Sequence, residues 1–139
     1  MTTCRFFKIQ ELVDKATYDK FGDKAWMFFR PEALEALDDL RSFFGVPITV
    51  NNWHEGGSFQ YRGFRPRSCT VGAEYSQHRL GNAFDCDIAG ITADEARKRI
   101  LDKQDDLKLM YITRLEDDVN WLHFDLANVA HDGIQVIKP

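Results

Sequence analysis

The order of the predicted elements indicates an α+β fold, with a mostly antiparallel sheet and helices packed to one side. The clearest helical pattern comes first in the 139-residue chain, and one further helix then interrupts a series of strand-like runs. Hydrophobic residues make up 44% of the sequence, which favours a globular chain over a disordered one. With no repeat, linker or low-complexity tract, residues 1–139 are predicted to form a single domain.

Two helices are predicted from their end signals. The first runs from Pro31 to Phe44, because proline suits the first helical position and Gly45 can close the last turn. Its leucines fall on one face, which predicts that it packs on the core. The second helix starts after Thr92, which forms a capping-box pattern with Glu95.

The remaining regular segments read as strands. Their short apolar or alternating runs are bounded by turn residues and lie at 47–51, 84–88, 107–115, 119–126 and 134–137. A tight turn at Asp117-Asp118 would join the third and fourth runs as a hairpin. Asp132-Gly133 predicts a further turn before the last strand.

Composition excludes several classes of function. The net charge is −4 with no basic stripe, which argues against nucleic acid as a partner. No apolar segment approaches the roughly 20 residues of a membrane helix, so no membrane association is predicted. The N-terminal residues show no signal peptide, which predicts synthesis in the cytoplasm. The three cysteines form no CxxC pair and are interpreted as free thiols of a reducing compartment.

The chemistry is concentrated after a long glycine-rich loop at 52–77, since long loops in compact domains are often functional. His78 follows this loop, Asp85 lies on the next strand, and His123 lies on a later strand. Two imidazoles and one carboxylate form a known catalytic zinc set that leaves the fourth position open.

Simpler interpretations exist for each of these residues. A lone histidine on a strand is usually a hydrogen-bonded structural residue, and Asp85 could belong to a solvated face with Asp87. Asp87 points the same way as Asp85 and is the alternative carboxylate ligand. Cys86 points the opposite way, so it is predicted to lie in the core.

The spacing of these residues favours the metal interpretation. Five fixed positions fall within ten residues: Ser76-x-His78-x-x-Gly81-x-Ala83-x-Asp85. Trp121-x-His123 follows later. Together they resemble the zinc D-alanyl-D-alanine carboxypeptidase family, which shares its fold with the Hedgehog signalling domain and includes phage endolysins. Residues 45–65 look like the upstream region of phage and prophage members, so the resemblance covers nearly the whole chain.

The resemblance implies that His78, Asp85 and His123 bind one zinc ion. Arg65 falls at an arginine position that would contact a substrate carboxylate or polarise a carbonyl, although Arg62 replaces a usual serine nearby. Arg65 could also be a simple surface arginine. Ser76 would hydrogen-bond a ligand side chain or simply cap the loop.

The sequence departs from the family at the general base. Many members have glutamate three residues before the second zinc histidine, where this chain has Asn120, and an amide cannot take up the proton. Glu116 is the first candidate to replace it. With a two-residue turn, however, it would pair with Val119 and lie about 13 Å along the strand from His123. Asp125 lies on the same face as His123 and is the second catalytic candidate.

Asp117 and His54 are further candidates for the base. The implied function is a zinc metallopeptidase that hydrolyses stem-peptide bonds of peptidoglycan, acting on the cell wall after release from the cytoplasm, in phage or prophage lysis. The alternative is an inactive zinc-binding domain of the same fold in a structural, wall-binding or virion component. A third possibility is the fold without a metal.

Overall fold

The computed structural model describes residues 1–139 and confirms the α+β class, with three α-helices and a five-stranded sheet. The helices are α1 (Lys15–Phe21), α2 (Pro31–Phe44) and α3 (Ala93–Asp102). The strands are β1 (Ile48–Thr49), β2 (Ala83–Ile88), β3 (Arg114–Glu116), β4 (Leu122–Asp125) and β5 (Gln135–Ile137). No helix combines the length and apolar character needed to cross a bilayer.

Both predicted helices form where their end signals lie. Helix α2 begins at Pro31 and ends at Phe44, and it is capped by Gly45, whose φ of 70° is the left-handed conformation that glycine adopts easily. Helix α3 is capped by Thr92, whose side chain accepts a hydrogen bond from the backbone N–H of Glu95. The shorter α1 is capped in the same way by Asp14.

The sheet has an apolar face and a polar face because side chains alternate along each strand. Phe84 of β2 and Leu115 of β3 both pair with Phe124 of β4, and all three are fully buried. The buried faces of α2 and α3 belong to the same apolar cluster as these residues. The helices therefore cover the apolar face, which leaves the opposite face free for a site.

The sheet is mixed, so the prediction of a mostly antiparallel sheet was wrong. Its order is β1-β2-β4-β3-β5, and β5 pairs in parallel with β3. The chain bends at Asp132-Gly133, where a turn was predicted before the last strand. It then pairs on the far side of β3, which is itself antiparallel to β4, so β3 and β5 run in the same direction.

The predicted hairpin exists, but its turn was placed wrongly. Residues 107–109 form a 3₁₀ turn, and the strand is limited to Arg114–Glu116. The connection to β4 spans 117–121 and is held by buried Arg97 of α3. Its guanidinium donates to the carbonyls of Glu116, Val119 and Trp121. This anchor satisfies backbone groups that a tight turn would have paired between the strands.

Candidate metal centre

Three strands place the site residues in register on the polar face of the sheet. Asp85 of β2 pairs with His123 of β4, which pairs on its other side with Glu116 of β3. One step along the strands, Asp125 pairs with Ala83 and Arg114 in the same way. Cross-strand partners lie on the same face, so two adjacent rows of functional side chains cross the sheet.

His78 reaches this face from the 3₁₀ turn Gln77–Leu80. The Ser76 hydroxyl begins the turn by accepting a hydrogen bond from the His78 backbone N–H, at 3.2 Å. Gly81 ends the turn with φ 65°, and a Cβ at this position would overlap the Phe28 carbonyl. Only glycine meets both conditions, so Gly81 fixes the approach of the histidine to the sheet.

The potential ligand atoms of His78, Asp85 and His123 lie within 4.8 Å of one another, and all three residues are buried. Asp85 Oδ2 lies 3.3 Å from His78 Nε2, and Asp85 Oδ1 lies 2.8 Å from His123 Nδ1. The structure therefore brings together the three residues that the spacing singled out. They form a buried group that could hold a metal ion.

Hydrogen bonds on the outer side of each imidazole determine which nitrogen can act as a ligand. His78 Nδ1 lies 2.8 Å from the Gly63 carbonyl, which can only accept, so Nδ1 donates to it and Nε2 is the nitrogen that faces Asp85 Oδ2. His123 Nε2 donates to Asp125 Oδ2 at 2.8 Å, which leaves Nδ1 facing Asp85. An unprotonated Nδ1 and a carboxylate oxygen repel at 2.8 Å, so a proton or a shared cation must lie between them.

The pKa shifts at the site favour a positive charge next to Asp85. Burial alone would lower the pKa of His123, but hydrogen bonds to Asp125 and Asp85 outweigh it and raise the pKa to about 9. Burial alone would raise the pKa of Asp85, but hydrogen bonds from His123 and His78 hold it well below its usual range. A divalent metal ion satisfies the same two lone pairs and carboxylate, so this donor set fits such an ion.

Arg65 contacts Asp85, the carboxylate of the candidate metal site. Its Nη2 donates to Asp85 Oδ2 at 3.1 Å and its Nε donates to the Tyr61 carbonyl at 2.7 Å. A Cβ at Gly72 would overlap Nη1, so the loop backbone covers this nitrogen. Arg65 is therefore mostly enclosed rather than a surface arginine, and two of its three nitrogens already have partners within the protein.

Asp125 lies behind His123 and has no exposed surface. Its carboxylate accepts from His123, from the backbone N–H of Ala127 at 3.1 Å, and from Arg114 through two bonds of 2.9 Å. Burial alone would raise its pKa, but the bonds from His123 and Arg114 lower it. Asp125 thus orients the imidazole and the guanidinium, and its oxygens are occupied by these donors.

Glu116 lies beside His123, and the predicted separation of about 13 Å was wrong. The longer 117–121 connection shifts the register, so Glu116 pairs with His123 instead of with Val119. The half-buried Glu116 side chain has no hydrogen-bond or ion-pair partner within the protein and lines the same cleft as the metal group. Its carboxylate is thus the acidic group available to act as a base.

Asn120 and Asp87 lie in a second cleft that is continuous with the first through shared residues. Asn120 is exposed, and Asp87 forms two hydrogen bonds of 3.0 Å with Arg62. The alternative ligand Asp87 is therefore engaged by Arg62, and Asn120 does not line the cleft that Glu116 lines. The residues shared by the two clefts are Arg65, Val71, Asp85 and Trp121.

His54 and Asp117, the remaining candidates for the base, lie away from the metal group. His54 belongs to the 3₁₀ turn Trp53–Glu55 and lines neither cleft. Asp117 pairs with Arg97 and Lys138. Cys86 is fully buried on the core face, which confirms its predicted position, and all three cysteines are free.

The cleft above the metal group has a volume of about 510 Å³, and the second cleft has about 690 Å³. Two residues of the site were not predicted from the sequence: Arg114, which lines the first cleft, and Gly63, which orients His78. Alternation with Glu116 along β3 is the signal that could have found Arg114. The contact of Gly63 depends on loop packing, for which the sequence carries no local signal.

The fold and site together define an α+β protein with a buried two-histidine, one-carboxylate group that could hold a metal ion. Comparisons with protein-family models, curated proteins and solved structures give no match.

Proposed function

We propose that this protein is a zinc-dependent peptidase that hydrolyses peptide bonds in bacterial peptidoglycan, as part of phage or prophage cell-wall lysis. The observation that carries the proposal is the convergence of His78, Asp85 and His123 in a cleft that also contains an unpartnered Glu116. The motif resemblance supplies the substrate class, and the geometry supplies the groups that peptide hydrolysis needs.

Zinc is the metal that best suits these donors. His78 Nε2, His123 Nδ1 and one Asp85 oxygen would hold it, and nitrogen ligands favour zinc over magnesium or calcium. When bound, zinc supplies Lewis-acid chemistry, which polarises a carbonyl and lowers the pKa of water. The Gly63 carbonyl and Asp125 keep both imidazoles in the orientation that this role requires.

Glu116 is the proposed general base. Its carboxylate lies one strand away from His123 and faces the cleft, where it can accept a proton from water and return one to the leaving amine. Arg65 balances the charge of Asp85 and lines the cleft, where it would polarise the carbonyl of a bound peptide. Ser76 would help to position His78, because its hydroxyl caps the turn that carries this histidine.

Asn120 supports a second candidate function. In an inactive member of the same fold, the zinc group would stabilise a wall-binding or virion component without hydrolysis. That candidate predicts stoichiometric zinc, a large loss of stability on chelation, and intact peptidoglycan.

A zymogram with bacterial cell walls and a metal analysis distinguish these candidates. We expect one zinc per chain and clearing of the walls by the wild type, with both lost in His78→Ala. Glu116→Gln should retain zinc and lose about 100-fold or more in rate, while Glu35→Gln on the exposed side of α2 should match the wild type.

Zinc without clearing would support the inactive domain, and no zinc would refute both candidates. Loss of clearing without change in zinc in Glu116→Gln, but not in Glu35→Gln, would identify the base. Mass spectrometry of the digested walls would then show which bond is cut.

A further inference from the structure

We propose that Arg114 is a substrate-binding residue that recognises a carboxylate of the peptide. The inference takes the peptide class from the proposed function, while its contacts are read from the cleft itself. Arg114 is not part of the spacing motif. It enters the site only because β3 lies beside β4 in the observed register.

The Arg114 guanidinium has donors left over. Two of its five N–H groups, on Nε and Nη2, are used by Asp125. Nη1 and the second hydrogen of Nη2 have no partner within the protein. The side chain is 25% exposed and lines the cleft, so these donors can reach a ligand.

Arg65 is less available for the same task. Its side chain is 11% exposed, with Nε and Nη2 bound to Tyr61 and Asp85 and with Nη1 under the backbone of Gly72. Recognition of a carboxylate by Arg65 would require it to leave the metal-site carboxylate. Arg114 can bind one without breaking any contact.

The position of Arg114 suits a carboxylate near the reacting bond. It lies one row from the metal group on the same face, a step of two residues or roughly 7 Å along the strands. An extended peptide covers that distance in about two residues. The carboxylate recognised therefore lies close to the scissile bond and not at a distant end of the substrate.

The balance of charge also favours an anion. With both imidazoles neutral, as metal binding requires, the side chains of the cleft include two guanidiniums, Arg65 and Arg114, and three carboxylates, Asp85, Glu116 and Asp125, so one negative charge is in excess. A divalent ion at the histidines reverses this to one positive charge. The anchoring of Arg114 by fully buried Asp125 fixes its planar donors in advance, which lowers the entropy lost on binding.

The test measures whether discrimination between a carboxylate and its amide depends on Arg114. The probes are the stem peptide L-Ala-γ-D-Glu-L-Lys-D-Ala-D-Ala, its C-terminal amide, its D-Glu α-amide and the double amide. Calorimetry gives the Kd of each probe for zinc-loaded and zinc-free protein, and KM and kcat are measured wherever hydrolysis occurs. The two single amides distinguish recognition of the peptide's C-terminal carboxylate from recognition of the D-Glu α-carboxylate.

We expect the wild type to bind one single amide about 10- to 100-fold more weakly than the parent peptide. Arg114→Gln should bind the parent peptide as weakly as it binds that amide. Arg114→Lys should keep only part of the difference in Kd between the two peptides, because lysine lacks the planar two-point geometry. Arg99→Gln on α3 removes the same charge outside the cleft and should behave like the wild type.

A role confined to holding Asp125 would change zinc affinity and thermal stability but leave the ratio of carboxylate to amide binding unchanged in Arg114→Gln. That result would overturn the proposal, as would a wild type that binds no probe or all probes equally. If Arg114→Gln does not fold, Arg114→Lys decides by the same ratio. Discrimination that depends on Arg114 without any hydrolysis would support this inference while refuting the peptidase function.

Discussion

Substitution of Asp125 by asparagine tests whether the residue behind the metal group orients it. The carboxylate has no exposed surface and joins Arg114 to His123. Asparagine keeps the size of the side chain, but it removes the charge and turns one acceptor into a donor. The amide would then face either His123 Nε2 or the guanidinium, where only an acceptor fits.

The expected effect has two parts. Breaking a buried ion pair costs about 3–5 kcal/mol, and because water can partly solvate the Arg114 side chain we expect a smaller cost, about 2–3 kcal/mol. A misoriented imidazole should weaken zinc binding by about 10- to 100-fold, the usual effect of losing such an orienting group. The first part should be present without metal, and the second only when zinc is bound.

Urea unfolding in a chelator measures the first part, and competition with a chromophoric zinc chelator measures the second. Asp87→Asn is the matched control, because Asp87 also forms two hydrogen bonds with an arginine but its side chain is 52% exposed. It should cost less than about 1 kcal/mol and leave zinc affinity unchanged. Equal effects of the two substitutions on both quantities would refute the orienting role.

Three further predictions concern the scaffold. Gly81→Ala should lower the free energy of unfolding in urea by about 3 kcal/mol or more, because a Cβ there has a positive φ and also overlaps the backbone. Gly45→Ala, with φ 70° and open space around the Cβ, should lower it by only about 1–2 kcal/mol. Equal losses would show that the overlap at Gly81 has no effect. Burial raises the pKa of the Cys4 and Cys86 thiols, so alkylation of these two residues at pH 8 should be about 100-fold slower in the folded chain than in the unfolded one. Fast labelling of either residue in the folded chain would contradict this. Arg97→Met should destabilise the fold by about 3 kcal/mol and make the backbone amides of 117–121 exchange hydrogen faster. Unchanged exchange at 117–121 would show that this loop does not depend on Arg97.

Local signals predicted the elements that depend on local chemistry. The bounds of α2 follow from Pro31 and Gly45, and His78 lies near Asp85 because one turn and one strand join them, whereas His123 was included only through the resemblance of the spacing to a known family. The first two features need little information from distant parts of the chain.

The positions of Glu116 and β5 depend on contacts between distant segments. Arg97 on α3 holds the 117–121 connection open, and that loop sets which β3 residue pairs with His123. Similarly, the turn before β5 was predicted from Asp132-Gly133, but the parallel pairing of β5 with β3 could not be predicted from the sequence. A strand's register and partner are chosen by packing across the whole fold, which a linear pattern does not specify.

The strands that carry the ligands also build the core, with Asp85 and His123 on one face and Phe84 and Phe124 on the other. A single-residue insertion or deletion inside β2 or β4 would rotate every later side chain to the opposite side. Charged groups would then enter the interior as aromatic rings moved into solvent. Engineering of this protein by changes in length is therefore best confined to connections outside these two strands.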